Sequence, residues 1–368
     1  MAFVSKPKII AHFILQLDIG GLERVMLNCI RRMQQQSDVK HVIISLTTAN
    51  DFSQDDLREK VAVHCLNKKA GNDWKLHFRL FQLLKEIKPD ILHTYNLSTI
   101  EYHPIAMLAG VKGRIHAEHG RDINDPKGLN KKHNFLRKLM SFFIHRYVAV
   151  SDELFQWLNT TVGISKTKTQ LITNGINTEF FNLPKQPSEN IRFANIARLS
   201  PIKDHKNLLQ ACQLLQKEHD EMPWTLTIIG DGPLREELAL LTQEYQLNER
   251  VNFLGARDDI AELLTEVDVF VLSSIAEGIP MTILEAMSAS TAIIATEVGG
   301  IPQVIEQHKE GILVEKQDAI ALAQAMAFYL KNVEKAKEHG KQARDKVLNS
   351  YNEQRMVKDY LACYEQLL

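Results

Sequence analysis

Residues 273–287 read Ser-Ser-Ile-Ala-Glu-Gly-Ile-Pro-Met-Thr-Ile-Leu-Glu-Ala-Met. They follow an apolar segment, residues 267–272, that we predict to be a β-strand, and they lead into a predicted helix that begins near Met281. Seven residues separate Glu277 from Glu285, so one carboxylate lies in the loop and the other lies one turn inside the helix. A strand followed by such a loop and a helix is the repeating unit of a parallel α/β sheet.

The start of this helix predicts an anion site. Pro280 suits the first helical turn because its missing N–H costs no hydrogen bond there. The next four amides, those of Met281, Thr282, Ile283 and Leu284, then lack a partner within the helix, and the helix dipole favours an anion beside them. A carboxylate can also accept paired hydrogen bonds from a vicinal diol. The segment favours a ligand with sugar hydroxyls around a diphosphate; the alternative is chance spacing of two glutamates among 45 acidic residues.

The length and composition restrict the class of protein. A chain of 368 residues exceeds one compact core, which predicts two domains. No apolar run reaches the roughly 18 to 20 residues of a membrane span, and the N-terminus lacks the cleavage pattern of a signal peptide. The cysteines lack paired spacing, which indicates reduced thiols; they are Cys29, Cys65, Cys212 and Cys363. We therefore expect a cytoplasmic protein.

The charge is distributed unevenly. Residues 1–184 hold 25 Lys and Arg against 17 Asp and Glu, a balance of +8, and residues 185–368 hold 19 against 28, a balance of −9. Either the first half binds an anionic partner, or the two halves complement each other's charge.

Predicted strands alternate with predicted helices in both halves. The first half has strands near residues 9–17, 41–46, 61–66, 90–94, 113–118 and 147–150, and the second has strands near 192–197, 225–230, 251–254, 267–272 and 292–296. Pro184 and Pro187 mark a linker between the halves. We predict an α/β fold of two Rossmann-like, doubly wound domains facing across a cleft, over residues 1–184 and 185–350. A C-terminal helix, residues 351–368, is predicted to pack back on the first domain.

Two cations follow the first predicted strand of the second half. Ligands of open α/β sheets bind outside the carboxyl ends of the strands. Arg198, with the paired donors of its guanidinium, and Lys203, with its compact ammonium charge, would neutralise a diphosphate there. A solvated loop is the alternative.

The first half offers weaker candidates. Gly20 and Gly21, between the first strand and its helix, allow close approach of backbone to phosphate, although a tight turn is the alternative. His119 follows a strand and could bond a sugar hydroxyl or shape an acceptor site. His93 and Asn96 end another strand.

Residues 127–146 combine basic and apolar side chains. The basic ones are Lys127, Lys131, Lys132, Arg137, Lys138 and Arg146. A basic amphipathic helix can lie on an anionic membrane surface. We interpret the apolar face, with Phe135, Leu139 and Phe142, as part of a core, and the basic face as a candidate membrane contact.

Several signatures are missing from the sequence. It has no Asp-x-Asp set at a strand end, no Gly-x-x-x-x-Gly-Lys-Ser/Thr loop, no Gly-x-Ser-x-Gly elbow and no zinc-ligand spacing. We expect neither a metal nor a cofactor, and no nucleic-acid partner.

Six segments together resemble glycosyltransferase family 4, the retaining GT-B enzymes that use nucleotide sugars. They are residues 18–23, 174–181, 197–203, 229–234, 277–285 and 298–302. Residues 18–21 and 118–122 are most similar to a bacterial subgroup that builds exopolysaccharide or capsule. The resemblance implies a metal-independent hexosyl- or N-acetylhexosaminyltransferase that uses a UDP- or GDP-sugar and a lipid-linked or other saccharide acceptor. A nucleotide-sugar 2-epimerase and a non-catalytic nucleotide-sugar-binding protein are the alternatives.

The resemblance also implies roles for individual residues. Arg198 and Lys203 would hold the diphosphate, Glu285 the ribose hydroxyls and Glu277 the transferred sugar, while His119 would lie beside the reacting carbon. Further residues implied for the donor are Gly20, Gly21, Gly278, Met281, Thr282, Ile283 and Leu284. The residues expected at the acceptor are His93, Asn96 and Arg121.

Overall fold

The computed structural model describes residues 7–18, 21–49, 61–69, 71, 73–121, 125, 127–188 and 190–368. The chain forms two compact units. Unit 1 comprises Met1–Asn174 and Glu353–Leu368, and unit 2 comprises Gly175–Asn352. The predicted boundaries, at residues 184 and 350, differ from these by ten and two residues.

Unit 1 is built on a parallel sheet, which has seven strands in the described part of the unit. Its strands are β1 (Ile9–Ile14), β2 (Lys40–Ser45), β3 (Ala62–Cys65), β4 (Ile91–Tyr95), β5 (Gly113–Glu118), β6 (Arg146–Ala149) and β7 (Thr169–Leu171). The spatial order is β3-β2-β1-β4-β5-β6-β7, so the sheet reverses its direction of growth between β1 and β4. Such a reversal is the switch point at which doubly wound sheets bind ligands.

Helices connect these strands. They are α1 (Gly21–Gln36), α2 (Trp74–Ile87), α3 (Leu97–Ile100), α4 (His103–Leu108), α5 (Lys131–Met140) and α6 (Asp152–Trp157), and a short π-helical turn, Leu158–Val162, continues α6. Side chains cap two of them: Asn130 accepts from the amide of Lys132 at the start of α5, and Ser151 accepts from Leu154 at the start of α6.

Unit 2 repeats the arrangement with six described strands. They are β8 (Ile191–Ile196), β9 (Trp224–Ile229), β10 (Val251–Gly255), β11 (Val269–Leu272), β12 (Ala292–Thr296) and β13 (Gly311–Val314). All their pairings are parallel, in the order β10-β9-β8-β11-β12-β13. The sheet therefore has its switch point between β8 and β11.

The helices of unit 2 follow its strands. They are α7 (His205–Glu218), α8 (Arg235–Glu244), α9 (Ile260–Leu264), α10 (Met281–Ser288), α11 (Ile301–Val304), α12 (Ala319–Lys331) and α13 (Val333–Ser350). Residues 182–188, predicted to be a linker, belong to unit 2, where Nζ of Lys185 donates to the carbonyls of Leu264 at 2.8 Å and Val267 at 2.6 Å.

The last helix, α14 (Glu353–Glu365), is part of unit 1. It packs against α1, and the hydroxyl of Tyr364 is hydrogen-bonded to Nδ1 of His93 in β4 at 2.9 Å. Both side chains are fully enclosed, so the helix completes the interior of unit 1.

Burial explains why these segments form central strands. Every residue of β11 and β12 is buried, as expected for parallel strands covered by helices on both faces. The interior of unit 2 packs the sheet against α7 and α12, with Phe193, Leu226 and Met326 among its members. The predicted α/β class with two Rossmann-like sheets is confirmed.

The strand predicted over residues 9–17 is too long. β1 ends at Ile14, and Leu15 beyond it is 44% exposed. The apolar run continues past the sheet edge, where Leu17 makes only an isolated bridge to Ala49.

Candidate active site

The loop after β8 carries the two predicted cations of unit 2. Residues Pro201–Lys203 form a 3-10 turn, and Asp204 adopts a left-handed conformation, with φ 48°, as it leads into α7. The side chain of Lys203 is 22% exposed, whereas Arg198 is exposed. Both lie beyond the carboxyl end of β8, at the switch point of the sheet.

The loop after β11 is hydrogen-bonded to the loop after β8. Oγ of Ser273 donates to the carbonyl oxygens of Lys203 and Asp204, each at 3.0 Å, and the amide of Ile275 donates to the carbonyl of Ile202 at 2.8 Å. Ser273 is fully buried, so its two hydrogen bonds fix the backbone that presents Lys203.

Glu277 meets Lys203 at this junction. The Lys203 ammonium forms an ion pair with Oε1 of Glu277, and the hydroxyl of Ser274 donates to the same oxygen at 2.6 Å. The Glu277 side chain is 10% exposed. The structure thus brings together two predicted site residues that lie 74 positions apart in the chain.

The start of α10 differs from the prediction. Pro280 precedes the helix as its N-cap, with an extended ψ of 126°, rather than occupying the first turn. Its carbonyl accepts from the amides of Ile283 at 3.2 Å and Leu284 at 3.4 Å. The prediction of four unpartnered amides is therefore wrong for these two, and an anion at this helix end would meet the amides of Met281 and Thr282.

Glu285 lies one turn further along α10, and it is 4% exposed. Gly278 lies in the loop beside Glu277. The roles predicted for both residues toward a donor stay predictions.

A glycine in the loop after β12 allows close contact with Glu277. Gly299 has φ 56°, and a Cβ there would lie 1.8 Å from the Glu277 carbonyl oxygen. The neighbouring amide of Gly300 donates to the carbonyl of Gly278 at 3.0 Å. Residues 298–302, which follow β12, therefore pack against the loop that carries Glu277 and Gly278, called here the glutamate loop.

In unit 1, His119 lies at the carboxyl end of β5. Its two ring nitrogens are shielded from solvent and have no hydrogen-bond partner among the described residues, while its amide donates to Oδ1 of Asn96 at 2.8 Å. Burial lowers the pKa of His119 to about 3, so the imidazole is neutral near pH 7. A neutral ring can both donate and accept a hydrogen bond.

His93 does not lie at the surface, where an acceptor residue was expected. It is 1% exposed, and Nδ1 is hydrogen-bonded to Tyr364, with Tyr95 also within 3.2 Å. This burial argues against direct contact between His93 and an acceptor.

Arg137 is part of a buried ion pair. Its Nε donates to Oε1 of Glu118 at 2.6 Å, and Nε2 of His116 lies 3.3 Å from the same oxygen. Burial opposes ionisation of Glu118, but Arg137 and His116 outweigh it and lower the carboxyl pKa to about 2. The prediction that Arg137 belongs to a basic surface is wrong, because its charge is neutralised inside unit 1.

The apolar face of the basic segment is also placed differently from the prediction. α5 covers Lys131–Met140 of residues 127–146, and Phe135 is 68% exposed. Phe142 is 77% exposed and Leu129 is 62% exposed, so these side chains do not join a core. Exposed lysines accompany them, namely Lys127, Lys131, Lys132 and Lys138.

A pocket of about 320 Å³ opens at the carboxyl ends of β1, β4 and β5 in unit 1. It includes the predicted acceptor residues Asn96 and Arg121. The further lining residues are Leu15, Gln16, Leu22, Glu23, Tyr95, Leu97, Ser98, Gly120 and Arg137. Glu23 also lines this pocket, although within residues 18–23 the motif predicted a role for the glycines alone.

Gly20 and Gly21, two of the three glycines predicted at the donor, have different outcomes. Gly20 lies outside the described residues. Gly21 begins α1, and a Cβ there would meet nothing within 4 Å. No atom of the described residues requires glycine at position 21, and the predicted approach to a phosphate stays a prediction.

In the part of the chain that the structure describes, no helix is long and apolar enough to cross a membrane. No group of three or more His, Cys, Asp or Glu side chains in the described ranges could hold a metal ion.

Two family models match successive parts of the chain. Glycosyltransferase Family 4 matches residues 19–180, and Glycosyl transferases group 1 matches residues 176–346. Together they extend over both units.

Relatives and solved structures agree with these models. The UDP-Gal:alpha-D-GlcNAc-diphosphoundecaprenol alpha-1,3-galactosyltransferase of Escherichia coli is 27% identical over 95% of this chain and 94% of its own length. The N,N'-diacetylbacillosaminyl-diphospho-undecaprenol alpha-1,3-N-acetylgalactosaminyltransferase of Campylobacter jejuni is 24% identical, over 90% of this chain and 93% of its own. The crystal structure of Anabaena Alr3699/HepE in complex with UDP-glucose has a TM-score of 0.80 at 20% identity, covering 97% of this chain and all of that one.

The predicted GT-B fold and the predicted class of enzyme are thus confirmed, and the two relatives described above are named for lipid-linked acceptors. This chain is a glycosyltransferase, and it belongs to glycosyltransferase family 4.

Proposed function

We propose that this enzyme transfers a sugar, with retention of anomeric configuration and without a metal, from a UDP- or GDP-sugar to a lipid-linked saccharide in bacterial surface polysaccharide biosynthesis. The observation that carries the proposal is the junction of Lys203, Glu277 and Ser274 at the switch point of unit 2. Lys203 and the carboxylate of Glu277 meet there, between the loop that carries Arg198 and the loop that leads into α10, and a nucleotide diphosphate bound to a sugar requires such groups.

Each group at this junction has a chemical task in the proposed reaction. When the glycosidic bond to the donor breaks, negative charge grows on the leaving diphosphate, and Arg198 and Lys203 stabilise it. Preorganised donors of this kind are worth roughly 3–4 kcal/mol in a transition state. Glu277 accepts hydrogen bonds from hydroxyls of the transferred sugar, and Glu285 accepts them from the ribose.

His119 contributes as a neutral group in unit 1. Its shielded ring nitrogens lack protein partners among the described residues, so a hydroxyl of the sugar can take that place. A protonated imidazole would repel an oxocarbenium-like centre, and the low pKa of His119 avoids this.

The proposed acceptor follows from the relatives, whose names specify undecaprenyl diphosphate-linked sugars. A lipid-linked acceptor requires the enzyme to reach a membrane surface. We propose that it is a cytoplasmic protein in peripheral contact with the inner face of the cytoplasmic membrane, through Phe135, Phe142 and Leu129 with Lys131 and Lys132 beside them. Aromatic and basic side chains together favour an anionic lipid interface.

A transfer assay tests the activity. Purified protein would be incubated with UDP- and GDP-sugars and short-chain lipid-linked saccharides, with and without EDTA. We expect acceptor-dependent product, unaffected by EDTA, whose new linkage keeps the donor's configuration by NMR. Sugar isomerisation without an acceptor would favour a 2-epimerase instead, and nucleotide-sugar binding without turnover over a broad acceptor panel would favour a binding protein.

Vesicle sedimentation tests the membrane contact. We expect the wild-type protein to co-sediment with vesicles containing anionic lipid, and the double variant Phe135→Ser, Phe142→Ser to remain in the supernatant. Leu240→Ser is the matched control, because Leu240 is 67% exposed on α8 of unit 2. Equal sedimentation of all three proteins would contradict the proposed surface.

A further inference from the structure

The pocket of unit 1 has a mixed lining. Gln16, Asn96 and Ser98 offer amide and hydroxyl groups, and Leu15 and Leu22 offer apolar surface. Its volume of about 320 Å³ is at the lower end of the range for small-molecule sites. A single ring with several hydroxyls suits such a lining, since apolar side chains can cover the ring and polar ones can bond its hydroxyls.

The two arginines of the pocket are already paired with carboxylates. Nη2 of Arg121 lies 2.8 Å from Oε1 of Glu153, and Arg137 is held by the buried carboxylate of Glu118. Each guanidinium also lies near the ring of Trp157, at 5.6 Å and 4.8 Å. Both charges are therefore paired with carboxylates within unit 1, and the described lining residues offer a diphosphate no further cation, whereas the loop after β8 has the exposed Arg198 in addition to the paired Lys203.

Glu23 adds negative charge to the same lining. It lies in the first turn of α1 and is half-buried. Burial raises the pKa of its carboxyl group. A hydrogen bond from the backbone of Glu23 lowers that pKa, and the negative charge of Asp18 raises it further. A carboxylate in this position repels phosphate and accepts hydrogen bonds from hydroxyls.

We propose that this pocket binds a neutral, hydroxyl-bearing sugar ring of the acceptor, that Glu23 selects it by accepting a hydroxyl hydrogen bond, and that the acceptor's diphosphate lies outside the pocket. The inference rests on the proposed function, because it names which part of the proposed acceptor the pocket takes. The basic side chains that would meet an anionic lipid diphosphate then lie elsewhere on unit 1, on its surface and not in this pocket.

Direct binding to the full chain tests the proposal. The probes are neutral octyl glycosides of glucose, galactose and N-acetylglucosamine, followed by calorimetry, and inorganic pyrophosphate as competitor. We expect at least one glycoside to bind and Glu23→Ala to weaken it about tenfold or more, as for a lost hydrogen bond to a charged group. Glu86→Gln, an exposed carboxylate on α2, should leave binding unchanged, and pyrophosphate should not displace the glycoside.

Three results would overturn the proposal: no binding by any glycoside, binding unaffected by Glu23→Ala, or displacement of the glycoside by pyrophosphate. A thermal shift with UDP and GDP reports separately on the donor residues of unit 2. Loss of glycoside binding in Glu23→Ala with an unchanged nucleotide shift would show that the variant is folded. Absence of any nucleotide shift in the wild type would count against the proposed function and not against the pocket.

Discussion

The hydroxyl of Ser274 donates to Oε1 of Glu277 at 2.6 Å, and Lys203 pairs with that same oxygen. Ser274 is fully buried, so it holds the carboxylate from the interior of unit 2 while Lys203 holds it from the solvent side. Both restraints act on the same carboxylate oxygen of Glu277.

Ser274→Ala should lower kcat for sugar transfer about five- to tenfold, because a hydrogen bond of this kind contributes about 1 kcal/mol to the orientation of Glu277. The KM for the donor should change less than kcat if orientation in the transition state is what Ser274 provides. Steady-state kinetics measure both constants. Ser188→Ala, an exposed serine of unit 2, is the control, and equal kinetics for the two variants would contradict a positioning role.

Arg198→Ala and Glu277→Ala should each lower kcat/KM about 10²-fold or more, since each removes a group proposed to act on the charge or the hydroxyls of the donor. Initial rates at subsaturating donor measure this quantity. Lys206→Ala is the matched control, because this exposed lysine follows Lys203 closely but pairs with Glu237 on α8. Full activity in both site variants would refute the assignment of the donor site.

Gly299→Ala should destabilise unit 2 and abolish activity, because the new Cβ would clash with the carbonyl oxygen of Glu277 and displace the glutamate loop. Gly110→Ala is the control, because it introduces backbone strain without such a clash. Gly110 has φ 88° with nothing within 4 Å of a built Cβ, so that variant should lose only about 1–2 kcal/mol. Urea unfolding and transfer assays measure both effects, and wild-type activity in Gly299→Ala would show that the loop can adjust.

As the pH is lowered, the protein should begin to lose stability at pH values well above the pKa of its carboxylates. Burial lowers the pKa of His41 and His205 to about 4 and that of His119 to about 3. Below pH 6.5 the unfolded chain binds protons at these positions and the folded chain does not. The contribution of these groups to the free energy of unfolding is therefore fully present above about pH 6.5. As the pH falls from there toward the folded pKa, each group lowers the free energy of unfolding by an amount that approaches about 1.4 kcal/mol per pH unit.

Urea unfolding at pH 7.0 and 5.5 measures this loss. The variant His205→Gln should show a shallower dependence of stability on pH, since one of the buried histidines with a lowered pKa is gone, whatever its stability at pH 7.0. A dependence as steep as that of the wild type would show that His205 does not titrate on unfolding.

Much of the fold could be predicted from apolar patterning. The predicted bounds of β5 and β12 agree with the structure, and β12 is an apolar run bordered by the polar residues Thr291 and Glu297. The end of β1 was predicted less well. Leu15 and Leu17 continue the apolar run, but the sheet has ended, and that end is set by the neighbouring strands and not by the local sequence.

The candidate site was predictable where it depends on strand ends. Lys203 and Glu277 each follow a strand, and the carboxyl ends of neighbouring parallel strands meet at one edge. Partners that meet through tertiary packing were not predictable: Arg137 pairs with Glu118 on another element, and α14 brings Tyr364 to His93 from 271 positions away. The lining of the pocket around Glu23 likewise depends on which strands lie side by side.

The chain passes between its units twice, at residues 174–175 and again at 352–353. The segments next to these points are hydrogen-bonded to each other, the amide of Ile176 donating to the carbonyl of Tyr351 at 2.8 Å. A hybrid enzyme that exchanges unit 2 with that of a relative would therefore need two junctions, and a fragment ending at residue 174 would lack the helix that closes its own interior.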